Sequence, residues 1–242
     1  MRYMRAYQFM FESPKWMTNL LFAGLCMMIP VIGPIVISGW LYEVVEAIQR
    51  RGERAYPDFD FGRFSQYLSR GVWPFLVSLA LSLVLMPLAI AFMVVFMIVI
   101  ASSGGKPDMG VIVGLQIGYM VLMVVAGLLL SLISTPIMLR AGLMQEFKAA
   151  FNMAFVRDFV KKMWKETLLV QLFLMVSSMV VALAGFMLFC VGIIPAQALI
   201  VMAQAHLIEQ LYSRYLERGG IAIPLKMEAP IAMPEQGDVE PA

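Results

Sequence analysis

The chain is short of charge, and where charge is missing says more than how little there is. Only 14% of its residues are Asp, Glu, Lys or Arg, whereas a soluble domain carries about a quarter. It has one histidine, His206, so a multi-histidine metal centre is excluded. Its two cysteines, Cys26 and Cys190, both fall in apolar runs and offer neither a CxxC pair nor a disulfide framework. They read as buried free thiols that pack as small hydrophobes. HExxH, GxSxG and GxxxxGK[ST] are all missing. No enzymatic activity, metal or cofactor is therefore expected. The first sixteen residues, MRYMRAYQFMFESPKW, interrupt any apolar start with Glu12, Pro14 and Lys15, so no cleaved secretory leader is expected.

What is present is a set of long uncharged runs: Met17–Tyr42, Gly71–Gly105, Met109–Leu139 and Thr167–Ile208, the last broken only by His206. About 20 apolar residues, at ~1.5 Å each, cross a hydrocarbon core of roughly 30 Å. The fold class these runs imply is all-α, a polytopic membrane bundle of about six helices in three hairpins.

The first run is too long for one straight helix and short for two. Pro30-Val-Ile-Gly-Pro34 breaks it, since proline removes a donor and clashes with the preceding turn. Two short helices near 16–29 and 35–50 are expected, with later crossings near 72–101, 110–139, 166–190 and 193–213. Basic residues beside spanning segments favour the cytoplasmic side. With an initial hairpin, 17 of the 18 Lys and Arg share that side and only Lys106 lies opposite, whereas a single kinked crossing leaves 14 against 4. The hairpin is preferred, and a re-entrant loop gives the same count. Both termini are then cytoplasmic. Residues 1–218 form one transmembrane domain and 219–242, rich in Pro and acidic groups, read as a disordered tail.

Each hairpin begins at a tryptophan, Trp16, Trp73 or Trp164, preceded by a short amphipathic segment: YQFMFESPKW, FSQYLSRGVW or FVRDFVKKMW. The similarity fits a threefold duplication, and it equally fits the general need for Trp and basic residues at the headgroup level. Ala141–Lys165 is expected to be a surface helix, with Phe147, Phe151, Phe155 and Phe159 at every fourth position. Trp16, Trp73, Lys148, Arg157, Lys161, Lys162, Trp164 and Lys165 are the candidate contacts to anionic headgroups. Basic residues interleaved with Phe suit a bilayer and not a nucleic acid.

Ionisable groups at membrane depth are the default functional suspects. Glu43 and Glu46 are spaced i, i+3, with Arg50 one turn beyond, and His206 and Glu209 repeat that spacing in the last helix. Side by side, the two helices would gather Glu43, Glu46, Arg50, His206 and Glu209 into one polar cluster, a candidate substrate or ion pathway. The plainer reading is snorkelling and helix pairing, such as an i, i+4 bond between Glu46 and Arg50. Gln116 and Gln171 read as interhelical glue and Gly114-x-x-x-Gly118 as a close-packing face. Ser131, Ser134 and Thr135, beside Pro136, are expected to repair broken backbone bonding.

The N-terminal third carries a pattern of its own: Pro14, Trp16, then Ile29-Pro30-x-x-Gly33, Gly39, Glu43, Arg51-Gly52, Pro57-Asp58-x-Asp60 and Gly71. Over roughly the first 75 residues this resembles the start of the DUF4013 family of prokaryotic membrane proteins. The resemblance implies an integral membrane protein of about six helices and carries no catalytic residue over. The favoured reading is a non-enzymatic scaffold or assembly partner in the cytoplasmic (inner) membrane, contacting anionic lipid and a membrane-protein partner or a second copy of itself. The alternative is a small transporter or channel component working through the five polar residues named above. A lipid-processing enzyme is the least supported.

Overall fold

The computed structural model describes residues 1–52, 57–104, 106, 108–187 and 192–225. Cys190, Arg54, Lys226 and the rest of the expected tail lie outside the described residues. Among the described residues the architecture is helical, with no strand. The elements are α1 (Arg5–Gln8), a 3-10 turn over Phe9–Glu12, α2 (Trp16–Met27), α3 (Ile32–Arg51) and a 3-10 turn over Phe61–Arg63. They continue with α4 (Phe64–Ser102), α5 (Met109–Met144), α6 (Phe147–Ala150), α7 (Met153–Met187) and α8 (Ile193–Glu217).

The break expected near Pro30 is there, and it is tight. The Ile32 amide donates to the Pro30 carbonyl at 2.7 Å, closing a three-residue turn with Val31 at φ 65. This is the strained γ-turn conformation, costly for a β-branched residue. The last turn of α2 then packs so closely on α3 that a Cβ at Gly33 would overlap the Cys26 carbonyl oxygen.

Three helices are long and apolar enough to cross a membrane: Phe61–Ser102, Met109–Met144 and Met153–Met187. At ~1.5 Å per residue each exceeds 50 Å, well beyond a hydrocarbon core of about 30 Å. Leu79, Leu83, Val94, Ile98, Val113, Ile117, Val121, Leu129, Val176 and Val180 stand exposed along their outer stretches. Such surface is stable only against lipid. Local signals set the ends. Asp108 caps α5 by accepting from the Gly110 and Val111 amides, and Asn152 caps α7 by accepting from the Phe155 amide.

The inner ends of these helices meet α3 and α8. In sequence of packing, α3 lies on α4, α4 on α5, α5 on α7, α7 on α8, and α8 back on α3. Around this circuit Trp40, Tyr67, Phe155, Phe159 and Tyr215 are fully buried. The N-terminus covers the seam between α7 and α8: Tyr7 donates to Ser177 Oγ at 2.8 Å, and Phe9 stacks on the His206 ring at 4.6 Å.

Two expectations are corrected. Ala141–Lys165 is not one surface helix: Gln145 takes a left-handed φ of 53 and ends α5, α6 is a single turn, and α7 starts at Met153. Phe155 and Phe159 pack against Tyr215 in the core, while Phe147 remains exposed. An every-fourth aromatic stripe serves a core face as well as a lipid face. The segments FSQYLSRGVW and FVRDFVKKMW are the opening turns of α4 and α7, not separate interfacial helices. Residues 219–225, the described part of the expected tail, fold back on α8. The Ile221 and Ile223 amides donate to the Tyr215 and Tyr212 hydroxyls, and Ile223 is buried.

Candidate functional site

The polar residues singled out from sequence lie on α3 and α8, and these helices do pack together. Their side chains nonetheless divide into separate sets. Glu43 accepts from Arg63 at 2.5 Å, at the entry to α4. Glu46 takes Arg50 one turn along its own helix at 2.6 Å and Arg70 of α4 at 2.5 Å. Arg70 is buried, and its Nε donates to the Gly142 carbonyl at 3.3 Å, so this one guanidinium joins α3, α4 and α5.

Glu209 belongs to a different set. Its Oε1 accepts from Gln49 Nε2 and from Ser213 Oγ, both at 2.7 Å, which ties α8 to α3. His206, fully buried, sits 2.8 Å from the Gln210 amide through Nδ1. Gln210 in turn accepts from the Arg2 amide and donates to the Arg2 carbonyl, holding the N-terminal end of the chain by its peptide group. The five expected residues are thus shared among four sets, which Arg63, Arg70, Gln49 with Ser213, and Gln210 complete. The partners are visible in sequence only as interfacial charges and amides, because their roles depend on a register between helices that spacing does not supply.

The Pro57–Asp60 loop is held by side chains of α2 and α3 and the turn before α2. Asp58 Oδ1 accepts from Asn19 Nδ2 at 2.7 Å and from Ser13 Oγ at 2.9 Å. The side-chain carbonyl of Asn19 accepts from the Phe59 amide, and Trp40 Nε1 donates to the Pro57 carbonyl at 3.1 Å. The Phe59 ring is buried between Trp40 and Tyr67. Just beyond it α3 and α4 interlock: a Cβ at Gly39 would overlap the Tyr67 carbonyl, and one at Gly71 the Ile35 carbonyl. Gly33, Gly39, Glu43, Pro57, Asp58 and Gly71 are therefore joined by a physical task, fastening α2, α3 and α4, while Asp60 caps the turn over Phe61–Arg63.

Of the candidate headgroup contacts, Lys148, Arg157, Lys161, Trp164 and Lys165 are exposed, with Lys165 Nζ 5.3 Å over the Trp164 ring. Lys162 is turned inward, donating to Asp158 and to the Gly219 carbonyl at 2.9 Å each. Tyr215 donates to the same Asp158 oxygen. Burial and that bond push the Tyr215 phenol up to about 12, so it remains a donor across ordinary pH. Trp16 opens α2 and Trp73 sits in α4, both half-buried.

A half-open cavity of about 360 Å³ is lined by α3, α4, α5, α7 and α8, with Tyr42, Ser134, Thr135, Gln171 and Gln204 among its walls. Ser131 donates to its own helix at the Leu128 carbonyl. No hydrogen bond reaches the side chains of Ser134 or Thr135 among the described residues, so the expected repair of the helix beside Pro136 is not what they do. Gly114 and Gly118 face open space on α5, and no helix closes on them.

Among curated proteins and among solved structures, nothing matches the chain. A family model described as "Protein of unknown function (DUF4013)" matches residues 22–208, far beyond the N-terminal third that carried the resemblance. Three helices are long and apolar enough to span a bilayer, and with most of its length matched the chain belongs to the DUF4013 family.

Proposed function

We propose that this protein is a non-enzymatic scaffold or assembly partner of the cytoplasmic membrane. In this reading it crosses the bilayer about six times, with both termini on the cytoplasmic side. The observation that carries the reading is the state of the intramembrane charges. Glu43, Glu46 and Glu209 each accept from side chains that tie one element to another. A proton or ion path needs groups that change partners or protonation, whereas these are engaged in fastening helices. Exposed Arg157, Lys161, Trp164 and Lys165 on one flank of α7 suit anionic headgroups, at about 1 kcal/mol per basic group.

The test is proton and cation flux in sealed liposomes that contain the purified full chain. The scaffold reading predicts flux no greater than that of empty liposomes, unchanged by Glu43→Gln with His206→Ala. Flux well above empty liposomes and lost in that variant, with thermal stability retained, would establish the transport reading instead. Transport has one observation in its favour, the half-open cavity lined by α3, α4, α5, α7 and α8.

A further inference from the structure

The half-open cavity lined by α3, α4, α5, α7 and α8 has a mixed lining. Tyr42, Ser134, Thr135, Gln171 and Gln204 contribute polar groups from α3, α5, α7 and α8, and the other walls are aliphatic apart from two serines of α4. Those α4 serines, Ser78 and Ser82, are already committed to carbonyls of their own helix. The Ser134, Thr135, Gln171, Gln204 and Tyr42 side chains take part in no hydrogen bond among the described residues. No acid, base or histidine lines the space.

The polar atoms of these side chains open onto the cavity, where the groups of a guest can supply the hydrogen bonds that the protein does not. Several of them around one space of about 360 Å³ describe a receptor for hydrogen-bonding groups, within the size range of small-molecule sites. Two carboxamides supply donors and acceptors together, and three hydroxyls supply either. A charged head would enter without a counter-charge, at a cost of several kcal/mol. The guest is therefore uncharged. Its other end meets leucine, isoleucine, valine and methionine, and the flanking stretches of α4, α5 and α7 face lipid, which makes the bilayer the source.

We propose that this cavity binds the uncharged, hydroxyl-bearing head of a neutral glycerolipid of the diacylglycerol class. The glycerol hydroxyl and the ester carbonyls bond to Gln171, Gln204, Ser134 and Thr135, and an acyl chain leaves along the aliphatic walls. The space holds the head and the first carbons, and the remainder of each chain stays among the bilayer tails. This assignment stands whether the protein proves to be a scaffold or a transporter.

The test uses the full chain in phosphatidylcholine nanodiscs with a trace of diacylglycerol that carries a photoreactive diazirine near the head. Ultraviolet labelling is followed by peptide mapping. Adducts should concentrate on α5 and α7 around Ser134, Thr135 and Gln171. Unlabelled diacylglycerol should suppress them, and an equal amount of phosphatidylglycerol should not. Gln171→Leu with Gln204→Leu should cut the labelling at least tenfold. Leu130→Trp, which fills the space and leaves the polar groups in place, should do the same and carries the test if the double variant fails to fold. Labelling spread over the exposed faces of α4 and α5, or persisting in Leu130→Trp, would overturn the assignment. Suppression by free glycerol would overturn the lipid source and assign the site to a soluble polyol.

Discussion

Gly71 of α4 lies directly on the Ile35 carbonyl oxygen of α3, with no room between them for even one carbon atom. Backbone on one side and backbone on the other leaves nothing that can rotate away. Gly71→Ala is therefore expected to destabilise the protein by about 2 kcal/mol or more, as overpacking does. Gly39→Ala, against the Tyr67 carbonyl, should behave alike. Gly114→Ala and Gly118→Ala, which meet open space, should be neutral or stabilise by up to about 1 kcal/mol through helix propensity. Thermal unfolding in detergent separates the two pairs.

Val31 offers the opposite opportunity. Its φ of 65 places a β-branched, exposed side chain in a region that suits glycine. Val31→Gly should relieve strain of about 1 kcal/mol and raise the midpoint of thermal unfolding by a few degrees. An unchanged or lower midpoint would mean that the turn is not strained as described.

The segment after α8 is fastened by two phenols. Tyr212→Phe removes the acceptor for the Ile223 amide, the loss of one hydrogen bond of about 1 kcal/mol. Limited proteolysis within residues 219–225 should then run about fivefold faster. The Tyr215 pKa is raised above its ordinary value of 10.0 to about 12, so the contribution of that phenol is intact below pH 10 and is lost as pH climbs toward 12. Protease sensitivity of the wild-type segment should rise across that window and stay flat between pH 6 and 9.

Lys162 and Lys161 are neighbours with different work. Lys162 bonds Asp158 and the Gly219 carbonyl, whereas Lys161 is exposed. Lys162→Met should loosen the post-α8 segment and lower thermal stability by about 1 kcal/mol. Lys161→Met should leave stability unchanged and weaken only the salt-sensitive preference for anionic lipid, measured by lipid exchange into nanodiscs of defined composition.

The charge map is enough to locate the helices. The run Met109–Leu139 lies within α5, and the Pro30–Pro34 break separates α2 from α3. It does not show that α4 and α7 begin well before their uncharged runs, at Phe64 and Met153, because Phe64–Arg70 and Met153–Trp164 share the helical period of the apolar stretches they lead into. The residues of the Pro57–Asp60 loop are readable as a pattern, and their purpose is not. Asp58 and Asn19 are 39 positions apart and meet only once α2, α3 and α4 have folded together. The polar set on α3 and α8 is recognisable as a set of residues, but its division depends on Arg63 and Arg70, which read along the chain as surface charge. Ile221 and Ile223 lack any helical period, and their docking rests on backbone amides that every residue except proline possesses.

A double-mutant cycle on Glu46 and Arg70 tests most directly whether the charges of α3, α4 and α8 are fasteners. Glu46→Gln, Arg70→Met and the double variant are compared by reversible unfolding in detergent, with proton flux measured on the same preparations. Breaking this buried pair from either side is expected to cost about 3 kcal/mol, with a coupling of at least about 1 kcal/mol and no flux in any variant. Additive effects near zero, together with proton flux in the wild type that Glu46→Gln abolishes, would contradict the account.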